Sequence, residues 1–350
     1  MVLSVSMDLS IIIINYKSAN HILTCIDSIY KQTTKYSFEI IVVDNNSEDN
    51  SEEKIRSAFN DVTWLQSGYN AGFARANNIG IRTAKGKYIL VLNADTIILE
   101  NALDKTLDLF QTKKDAIACG VQLLNPDTGP DGSVRPGTHQ ISGAYFKTGG
   151  LNLLLPLPYL GKFIRYIGYK LKTKIPSVTE VLDEQEVDWI VGAFIMVKSE
   201  ALVKGGLFDE DFFMYAEEIE WCSRLRKHGK LYLFAQPKVI HIGGGTSGEY
   251  YNTDNDNSKN LWSTKARQIL VSKFLQVRKQ FGVFYYIFIL FFFIIEIPIF
   301  IIGFFLEKLL KSNHAKYKWE NVTGYISNVG YVMKYFFRIL TNKPFFYKVY

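Results

Sequence analysis

The chain has 350 residues, of which 48% are hydrophobic and 21% are charged, and its formal net charge is +6. This composition supports a sizeable core and excludes intrinsic disorder as a description of the whole chain, while the length allows one large domain or two of ordinary size. The three cysteines, Cys25, Cys119 and Cys222, are too widely spaced for a CxxC metal site and too few for a disulfide framework, so a reducing compartment is expected.

The positive charge is concentrated near the C-terminal end. Residues 307–350 contain eight Lys and Arg residues against Glu307 and Glu320, and this segment accounts for the whole net charge of +6. Because the segment follows an apolar stretch, its charge indicates a membrane surface rich in anionic lipid as the partner, and not nucleic acid.

The N-terminal part of the chain alternates strands with helices. No secretory signal precedes the first strand, so the N-terminus is expected to stay in the cytosol. Hydrophobic patterning predicts strands at Leu9–Ile14, Glu39–Val43, Val62–Gln66 and Tyr88–Leu92, and helices at Asn20–Lys31 and Ala74–Thr83. This order predicts a parallel sheet with helices on both faces.

Polar residues follow several of these strands. Ligands of open α/β sheets bind beyond the carboxyl ends of the strands. A ligand site is therefore expected where the strands end in Asn15, Asp44 and Asp95.

The middle of the chain is less regular. Asn125–Gly137 is rich in Gly, Pro and Asp and is predicted as a loop, while Val187–Val197 has strand character and Glu217–His228 is predicted as a helix. Leu151–Lys174 is amphipathic, which fits either a helix lying on a bilayer or an insertion that packs into the core.

Residues Val283–Leu306 form an apolar segment whose length suits a membrane span. Glu296 is its only charged residue, and Pro298 follows two positions later. A charge and a proline near the middle leave three arrangements open: a full span, a re-entrant hairpin and a helix in the plane of the membrane.

Three motifs have the residue types of a nucleotide site. Asp44, within VVDNNS, can accept hydrogen bonds from a base or a ribose, although this motif taken alone is better explained as a helix cap. In NAGFARANN, Gly72 permits close backbone approach, the following helix offers its N-terminus to phosphate, and Arg75 adds a permanent charge. Asn93–Ala94–Asp95 follows the strongest predicted strand.

A fourth motif places three carboxylates among aromatic residues, in FFMYAEEIEW. Glu217 and Glu220 share one side of a helix, and Glu218 points about 100° away from it. The glutamates are therefore expected to differ in role, and one of them has the setting of a general base.

Taken in order, these motifs resemble those of family 2 glycosyltransferases with the GT-A fold, close to the bacterial rhamnosyltransferase-like branch. The resemblance covers residues 8–250 and rests on SIIIINYKS, IIVVDNNSED, NAGFARANNIG, YILVLNADT, DWIVGAFIMVK, FDEDFFMYAEEIEWCSRLRKHG and IHIGGGTS. It implies an α/β fold with a mixed sheet flanked by helices. It also implies an inverting, metal-assisted transfer of a sugar from a nucleotide-diphosphate donor to an acceptor hydroxyl.

The resemblance also implies roles for individual residues. Asp95 would be the acidic ligand of Mg²⁺ or Mn²⁺, and His241 would approach the metal or the diphosphate. The donor side would be formed by Asn15 and Asp44 at the nucleoside, by Asn70, Arg75 and Asn77 near the ribose and diphosphate, and by Asn93. The acceptor side would be lined by Asp188, Trp189, Gly192 and Ala193.

Two departures from the family pattern bear on these roles. Asn93 stands where the family's metal motif begins with an acid, so Asp95 is the only carboxylate of that motif. The catalytic pair is Glu217–Glu218 and not Glu-Asp. Alignment on the aromatic residues assigns the base to Glu218, and a shift of one position would assign it to Glu217.

These observations predict a catalytic domain over residues 1–282 and a membrane-associated region over 283–350. The expected enzyme works on a lipid-linked glycan at the cytoplasmic face of the inner membrane, in cell-surface polysaccharide synthesis, and does not bind nucleic acid. Rhamnose is the sugar that the resemblance favours, with galactose, glucose and N-acetylglucosamine left open. Two alternatives remain: a catalytically silent sugar-binding or scaffold module, and a nucleotidyltransferase of similar fold.

Overall fold

The structure is a computed structural model that describes residues 7–144, 151–171, 180–243, 260–310 and 317–349. Packing divides the chain into two compact units. The first comprises Met1–Tyr145, Ser177–Glu210 and Glu217–Tyr250, and the second comprises Phe146–Pro176, Asp211–Ala216 and Tyr251–Tyr350. The second unit thus includes segments upstream of residue 283, which the sequence assigns to the catalytic region.

The first unit contains strands and helices in alternation. Its strands are β1 (Leu9–Asn15), β2 (Phe38–Asp44), β3 (Thr63–Gln66), β4 (Tyr88–Leu92), β5 (Thr96–Ile98), β6 (Ala116–Thr128), β7 (Val134–His139), β8 (Gly143–Ala144), β9 (Glu184–Val187), β10 (Trp189–Ile190), β11 (Phe194–Lys198) and β12 (Lys230–His241). Its helices are α1 (Ala19–Gln32), α2 (Ser51–Ala58), α3 (Gly72–Thr83), α4 (Ala102–Thr112), α6 (Ser199–Gly205) and α7 (Glu217–Leu225).

Within the described residues, ten strands form one mixed sheet. Its main order is β3-β2-β1-β4-β11-β6-β12-β5, with β7 paired to β6 and β9 paired to β12. The first four strands are parallel, and β11 runs antiparallel to both β4 and β6. The predicted mixed sheet is therefore confirmed. The sequence pattern identified the four parallel strands β1–β4, whereas it did not identify the parallel pairing of β12 with β6.

The strands β1, β2 and β4 are buried on both faces, which explains their nearly continuous apolar sequences. Ile11 and Ile13 of β1 belong to one core cluster together with Ile22 and Ile26 of α1. On the opposite face, a Cβ at Gly80 of α3 would lie 2.5 Å from Ile12 Cγ2. Only glycine allows this close approach of α3 to the sheet.

The predicted loop at Asn125–Gly137 is wrong. The segment is the far end of the β6–β7 hairpin, in which Pro126 pairs with Pro136 and the turn is closed by a hydrogen bond from Gly132 N to Gly129 O at 2.9 Å. Proline is tolerated here because it lies at the edge of the sheet, where a ladder hydrogen bond is not needed.

The predicted strand at Val187–Val197 is interrupted. It is divided among β9, β10 and β11, and the backbone leaves the ladder at Val191–Ala193. Gly192 lies in this break, and its surroundings are described with the site below.

The described helices of the second unit are α5 (Leu160–Lys170), α8 (Thr264–Phe281), α9 (Val283–Leu309), α10 (Trp319–Lys334) and α11 (Phe336–Leu340), with a short 3₁₀ helix at Leu151–Leu154. Within the described residues, α9 is the one helix that is long and apolar enough to cross a membrane, by length and composition alone. One of its faces is buried, with Tyr286, Phe293, Glu296 and Phe300 among its residues. The last residues of the predicted amphipathic segment, 172–174, lie outside the described residues.

The C-terminal residues of the second unit pair with the segment that precedes Glu217. Phe212 and Tyr347 form a parallel β-bridge, and Tyr347 N donates to Asp211 O at 2.9 Å. The Asp211 carboxylate accepts from Phe345 N at 2.9 Å and from Lys279 Nζ at 2.7 Å. Asp211 therefore joins α8, the C-terminal segment and its own segment.

Asp211→Ala is expected to lower the free energy of unfolding of the second unit by about 3 kcal/mol, because it removes a largely buried ion pair with Lys279 and the acceptor of Phe345 N. The Asp211 and Lys279 side chains are only 13% and 11% exposed. Urea denaturation measures the effect. Asp27→Ala, which breaks the exposed pair between Lys31 and Asp27, is the matched control and should change the midpoint little. Equal midpoints for the two variants would contradict this role of Asp211.

Candidate active site

Asn15 and Asp44 end the two central parallel strands and are register partners. Asn15 Nδ2 donates to Asp44 Oδ1 at 2.7 Å, and Ser47 Oγ donates to the same oxygen at 2.6 Å. Ser47 N donates to Asp44 Oδ2 at 3.1 Å. These donors fix a buried carboxylate at the carboxyl edge of the sheet, as the sequence predicted for a ligand site.

A cavity of about 220 Å³ opens beside Asp44. Trp64 and Gln66 of β3 line it, and its other lining residues include Glu48, Asp49 and Glu52. With the Gln66 amide oriented to suit both neighbours, its nitrogen donates to Asp44 Oδ2 at 3.0 Å and its oxygen accepts from Trp64 Nε1 at 3.1 Å. An indole face and polar groups suit a nucleoside, whereas the surrounding carboxylates repel phosphate. The sequence analysis did not identify Trp64 and Gln66, since their strand pattern is weak.

Asn45, the residue after Asp44, connects the end of β2 to the loop before α3. Its Oδ1 accepts from Ala71 N at 2.7 Å, and its Nδ2 donates to Asn70 Oδ1 at 3.1 Å and to Gly72 O at 3.3 Å. Gly72 has φ +71°, which favours glycine. Asn45 was missed as a candidate although it lies in the quoted VVDNNS motif.

The polar residues of α3 have contacts of different kinds. Arg75 Nε donates to Glu210 O at 2.8 Å, and Arg75 Nη1 lies 3.3 Å from the Tyr69 hydroxyl. Asn77 is fully buried and its Nδ2 donates to Phe73 O at 2.9 Å, while Asn77 Oδ1 accepts no hydrogen bond from any described residue. The predicted contacts of Arg75 and Asn77 with ribose and diphosphate stay predictions.

Asn78, which the sequence analysis did not identify, anchors the loop that Arg75 also contacts. Asn78 Oδ1 accepts from Phe208 N at 3.0 Å, and its Nδ2 donates to Phe208 O at 2.9 Å and to Glu210 Oε1 at 3.1 Å. Arg82 Nη2 donates to the same Glu210 oxygen at 2.6 Å. One face of α3 therefore holds residues 208–210 in place.

Asp95 and His241 come together at the end of the central strand β4. His241 is the last residue of β12 and pairs with Thr96 of β5. Its Nε2 lies 3.5 Å from Asp95 Oδ1 and 3.3 Å from Asn93 Nδ2. The other ring nitrogen, Nδ1, lies 3.2 Å from Gln140 Oε1. Gln140 therefore orients the imidazole, and no sequence motif had indicated it.

The electrostatics of Asp95 favour a carboxylate. Burial alone raises its pKa, but the hydrogen bond and charge of His241 outweigh burial, so the pKa of Asp95 lies below its usual range. Gly243 N also donates to Asp95 Oδ2 at 3.1 Å. Residues 244–250, which include the end of the IHIGGGTS motif, lie outside the described residues.

The Asp95–His241 pair fits a divalent cation. Two donors that each lie about 2.2 Å from one ion are at most about 4.4 Å apart, so a separation of 3.5 Å lets both reach the same ion. No group of three or more His, Cys, Asp or Glu side chains suited to a metal occurs in the described part of the chain. The remaining ligands would be phosphate oxygens and water, as is usual for hard cations bound together with nucleotides.

Gly192 lies near the glutamate motif, and its neighbour Ala193 is hydrogen-bonded to Asn93, which lies beside Asp95 and His241. Asn93 N donates to the carbonyl of Ala193, the residue after Gly192, at 3.0 Å. A Cβ at Gly192 would lie 3.5 Å from the Phe73 ring and 3.8 Å from Glu218 Cβ. The predicted acceptor residue Gly192 is therefore close to Glu218 and to Phe73 of the NAGF motif. The next residue, Ala193, is hydrogen-bonded to Asn93.

The three glutamates of α7 differ in their surroundings, as predicted. Glu217 and Glu220 are only 4% and 5% exposed, whereas Glu218 is half-buried. Glu220 accepts from Arg224 Nε at 2.8 Å, and Arg224 Nη2 donates to Leu207 O at 2.7 Å. Glu220 is therefore committed to an internal ion pair, which leaves Glu217 and Glu218 as candidates for chemistry.

The backbone before α7 is strained. Tyr215 and Ala216 have φ of 73° and 66°, in the left-handed region that favours glycine. Each such residue costs on the order of 1 kcal/mol, and this kind of strain is concentrated at functional sites. The turn sets the direction in which α7 begins.

Asp188 and Trp189 occupy the strand segment that packs against α7. Asp188 forms an ion pair with Arg226, and Trp189 belongs to β10, which pairs with β8. Trp189 Nε1 is buried and has no hydrogen-bond partner among the described residues. The predicted acceptor contacts of Asp188 and Trp189 stay predictions.

Comparison with known proteins finds relatives among the glycosyltransferases. Residues 10–165 match the family described as glycosyl transferase family 2. The low-salt glycan biosynthesis hexosyltransferase Agl10 of Haloferax volcanii is 31% identical over 225 residues, which are 63% of this chain and 62% of that protein, so the chain spans less than two thirds of this relative. The N-acetylglucosaminyl-diphospho-decaprenol L-rhamnosyltransferase of Mycobacterium tuberculosis is 25% identical over 252 residues, 69% of this chain and 78% of that protein.

A solved structure with the same fold is the mannosyltransferase PcManGT from Pyrobaculum calidifontis in complex with GDP-Man and Mn²⁺. It matches with a TM-score of 0.53 and 16% identity, covering 96% of this chain and 88% of that one. The similarity confirms the predicted GT-A fold.

Proposed function

We propose, because residues 10–165 match glycosyl transferase family 2, that this chain is an inverting glycosyltransferase. It moves a sugar from a nucleotide-diphosphate donor to a hydroxyl group of a glycan. One observation carries the proposal: a Cβ at Gly192 would lie 3.8 Å from Glu218 Cβ, the neighbouring Ala193 carbonyl accepts from Asn93 N, and the Asn93 side chain lies 3.3 Å from His241 Nε2, beside Asp95. A candidate base and a candidate diphosphate site therefore border the same short segment.

The donor side of the proposal is supported by the cavity beside Asp44. We assign the nucleoside to the surface of Trp64, Gln66 and Asp44, and the diphosphate to Asp95 and His241. When bound to Asp95 and His241, a divalent cation supplies positive charge for the diphosphate leaving group. Gln140, which contacts the other ring nitrogen, holds the imidazole of His241 in place for this role.

The chemical step is a single displacement. The acceptor oxygen forms a bond to the anomeric carbon from the face opposite the diphosphate, and the bond from that carbon to the phosphate oxygen breaks. Glu218 takes the proton of the acceptor hydroxyl, and the nucleoside diphosphate leaves with the electron pair. A half-buried carboxylate suits this role, because it is held by its surroundings and still reaches a bound ligand.

The donor sugar and the acceptor are proposed from similarity alone. The relative from Mycobacterium tuberculosis is named as an L-rhamnosyltransferase acting on a diphospho-decaprenol. We therefore propose rhamnose as the sugar and a lipid-linked glycan as the acceptor, at the cytoplasmic face of the membrane, in cell-surface polysaccharide synthesis.

The proposal is tested with a panel of radiolabelled nucleotide sugars and lipid-linked acceptors, with and without EDTA. We expect sugar transfer with release of nucleoside diphosphate, loss of activity in EDTA, and recovery with Mn²⁺. Donor binding without transfer would favour a sugar-binding module instead. Release of pyrophosphate would favour a nucleotidyltransferase.

Trp64→Leu is expected to weaken nucleotide binding roughly 10-fold, because stacking of a base on an aromatic ring contributes about 1–3 kcal/mol. Isothermal titration of the nucleoside diphosphate with Mn²⁺ measures the change. Trp319→Leu, in the second unit, is the matched control and should bind as the wild type does. Unchanged affinity in Trp64→Leu would show that the nucleobase does not bind in this cavity.

A further inference from the structure

The outer face of α9 is an apolar stripe that runs along the whole helix. Its residues are exposed Phe, Ile and Leu side chains, from Phe284 at 87% exposure through Phe291 and Ile302 to Leu309 at 79%. At 1.5 Å per residue the helix is about 40 Å long. An exposed apolar surface of this length marks an interaction site in a folded protein.

Helix α5 begins against α9 and adds aromatic and basic residues. Glu296, at the middle of α9, accepts from Tyr159 N at 2.6 Å and from Leu160 N at 3.0 Å, so its carboxylate caps the start of α5. Lys162 lies 3.8 Å from Glu307 of α9. The one charge within the apolar segment is therefore satisfied inside the unit and not exposed on the stripe.

Exposed residues of α5 alternate between apolar and cationic. Phe163, Tyr166 and Tyr169 are exposed, and so are Arg165 and Lys170. The described residues of the second unit contain fourteen Lys and Arg against four Asp and Glu. An apolar surface with surrounding positive charge complements an anionic lipid surface.

The packing of α9 argues against a membrane span. Its inner face packs against α8 and α10 and against the 3₁₀ helix at Leu151–Leu154. If α9 crossed the bilayer, these neighbours would enter the hydrocarbon with it. Helix α8 carries five Lys and Arg residues, and each cation at the bilayer centre costs about 2.5–3.5 kcal/mol on insertion scales. The non-helical backbone that follows the 3₁₀ helix at Leu151–Leu154 would also be unfavourable in contact with lipid.

We propose that the second unit docks on the surface of an anionic bilayer, with α9 lying in the plane of the membrane. The stripe of α9 enters the interface between head groups and acyl chains, and the cations of α5 contact the head groups. A bilayer is favoured over a second copy of the chain because the stripe offers apolar side chains only. Interfaces between proteins carry hydrogen bonds and a polar rim in addition.

The apolar contribution is tested with Phe284→Ser/Phe288→Ser/Phe291→Ser, a triple variant of exposed residues. We expect co-sedimentation with vesicles of phosphatidylcholine and phosphatidylglycerol to weaken roughly 100-fold, because three phenylalanine rings no longer leave water. The matched control is Leu182→Ser/Val203→Ser, whose side chains are 93% and 87% exposed in the first unit. The control should bind as the wild type does. Equal binding by the triple variant, with its circular dichroism unchanged, overturns the proposal.

The electrostatic contribution is tested separately with Arg165→Gln/Lys170→Gln. Each cation near an anionic surface contributes about 1 kcal/mol, so we expect roughly 10-fold weaker binding to the anionic vesicles. Binding to vesicles of phosphatidylcholine alone should not change. An equal loss on both kinds of vesicle would contradict recognition of the anionic head groups.

The orientation is tested in membrane vesicles from bacteria that express the full chain with a tag at each end. An in-plane helix leaves both tags on one side, so added protease should cut both or neither. Protection of one tag alone means that α9 spans the membrane, and it overturns the proposal. The proposal is also overturned if the wild type is a dimer in solution and does not bind vesicles, and if the triple variant is a monomer. A second copy of the chain would then cover the stripe. None of these readouts depends on sugar transfer.

Discussion

Glu218→Gln is expected to lower kcat for sugar transfer by roughly 10²–10⁴-fold, the usual contribution of a positioned general base. Glutamine has nearly the same shape as glutamate, so contacts around Gly192 are kept, but it cannot take the proton of the acceptor hydroxyl. The affinity for the nucleotide donor should stay at the wild-type value, because the donor-side residues are unchanged. Steady-state transfer assays and isothermal titration of the donor measure the two quantities separately.

The other glutamates of α7 provide matched controls for this variant. Glu220→Gln weakens the ion pair with Arg224, which in turn holds the carbonyl of Leu207, so we expect lower stability and little change in kcat. Glu217→Gln should retain most of the activity. If Glu217→Gln loses activity and Glu218→Gln keeps it, the base is Glu217. If both variants transfer sugar at the wild-type rate, neither carboxylate is the base.

The parallel half of the sheet could be predicted from the sequence because its signals are local. Runs such as SIIIIN and EIIVV are buried on both faces, and they end in polar residues where the strands end. The β6–β7 hairpin could not be predicted in this way. Its glycines and prolines resemble those of a loop, and its strand character comes only from pairing at the sheet edge.

The same distinction applies to the site. Asn15, Asp44 and Asp95 could be selected as candidates because they end or closely follow strands, whereas His241 was selected only through the resemblance to a family. Gln140 carries no motif, since it acts through a contact with a histidine that is 101 residues away in sequence. Its role exists only once β12 has brought His241 back to the end of β4.

The partners of Glu296 in the second unit could not be predicted from the sequence either. From the sequence, a carboxylate within an apolar segment left a span, a hairpin and an in-plane helix open. Its partners are the backbone N–H groups of Tyr159 and Leu160, which are 137 and 136 residues away in sequence. No local pattern predicts such a cap. The two hydrogen bonds offset the cost of burying the Glu296 carboxylate in a long apolar helix.

Asp95→Asn is expected to lower kcat/KM for transfer by roughly 10²–10³-fold, because a metal–carboxylate contact that stabilises the leaving group contributes several kcal/mol. The change keeps an acceptor for Gly243 N and removes one negative charge. We therefore expect opposite effects on nucleotide binding in two conditions. With Mn²⁺, the variant should bind the nucleoside diphosphate more weakly than the wild type, because one cation ligand is lost.

In EDTA, Asp95→Asn should bind the nucleoside diphosphate at least as tightly as the wild type, because a carboxylate that repels phosphate has been removed. His241→Gln, which also removes a ligand but keeps the charge of Asp95, is the matched comparison and should weaken binding only when Mn²⁺ is present. Titrations of each variant with and without Mn²⁺ measure these differences. If Asp95→Asn weakens binding equally in both conditions, Asp95 supports the fold of the pocket and does not hold a cation.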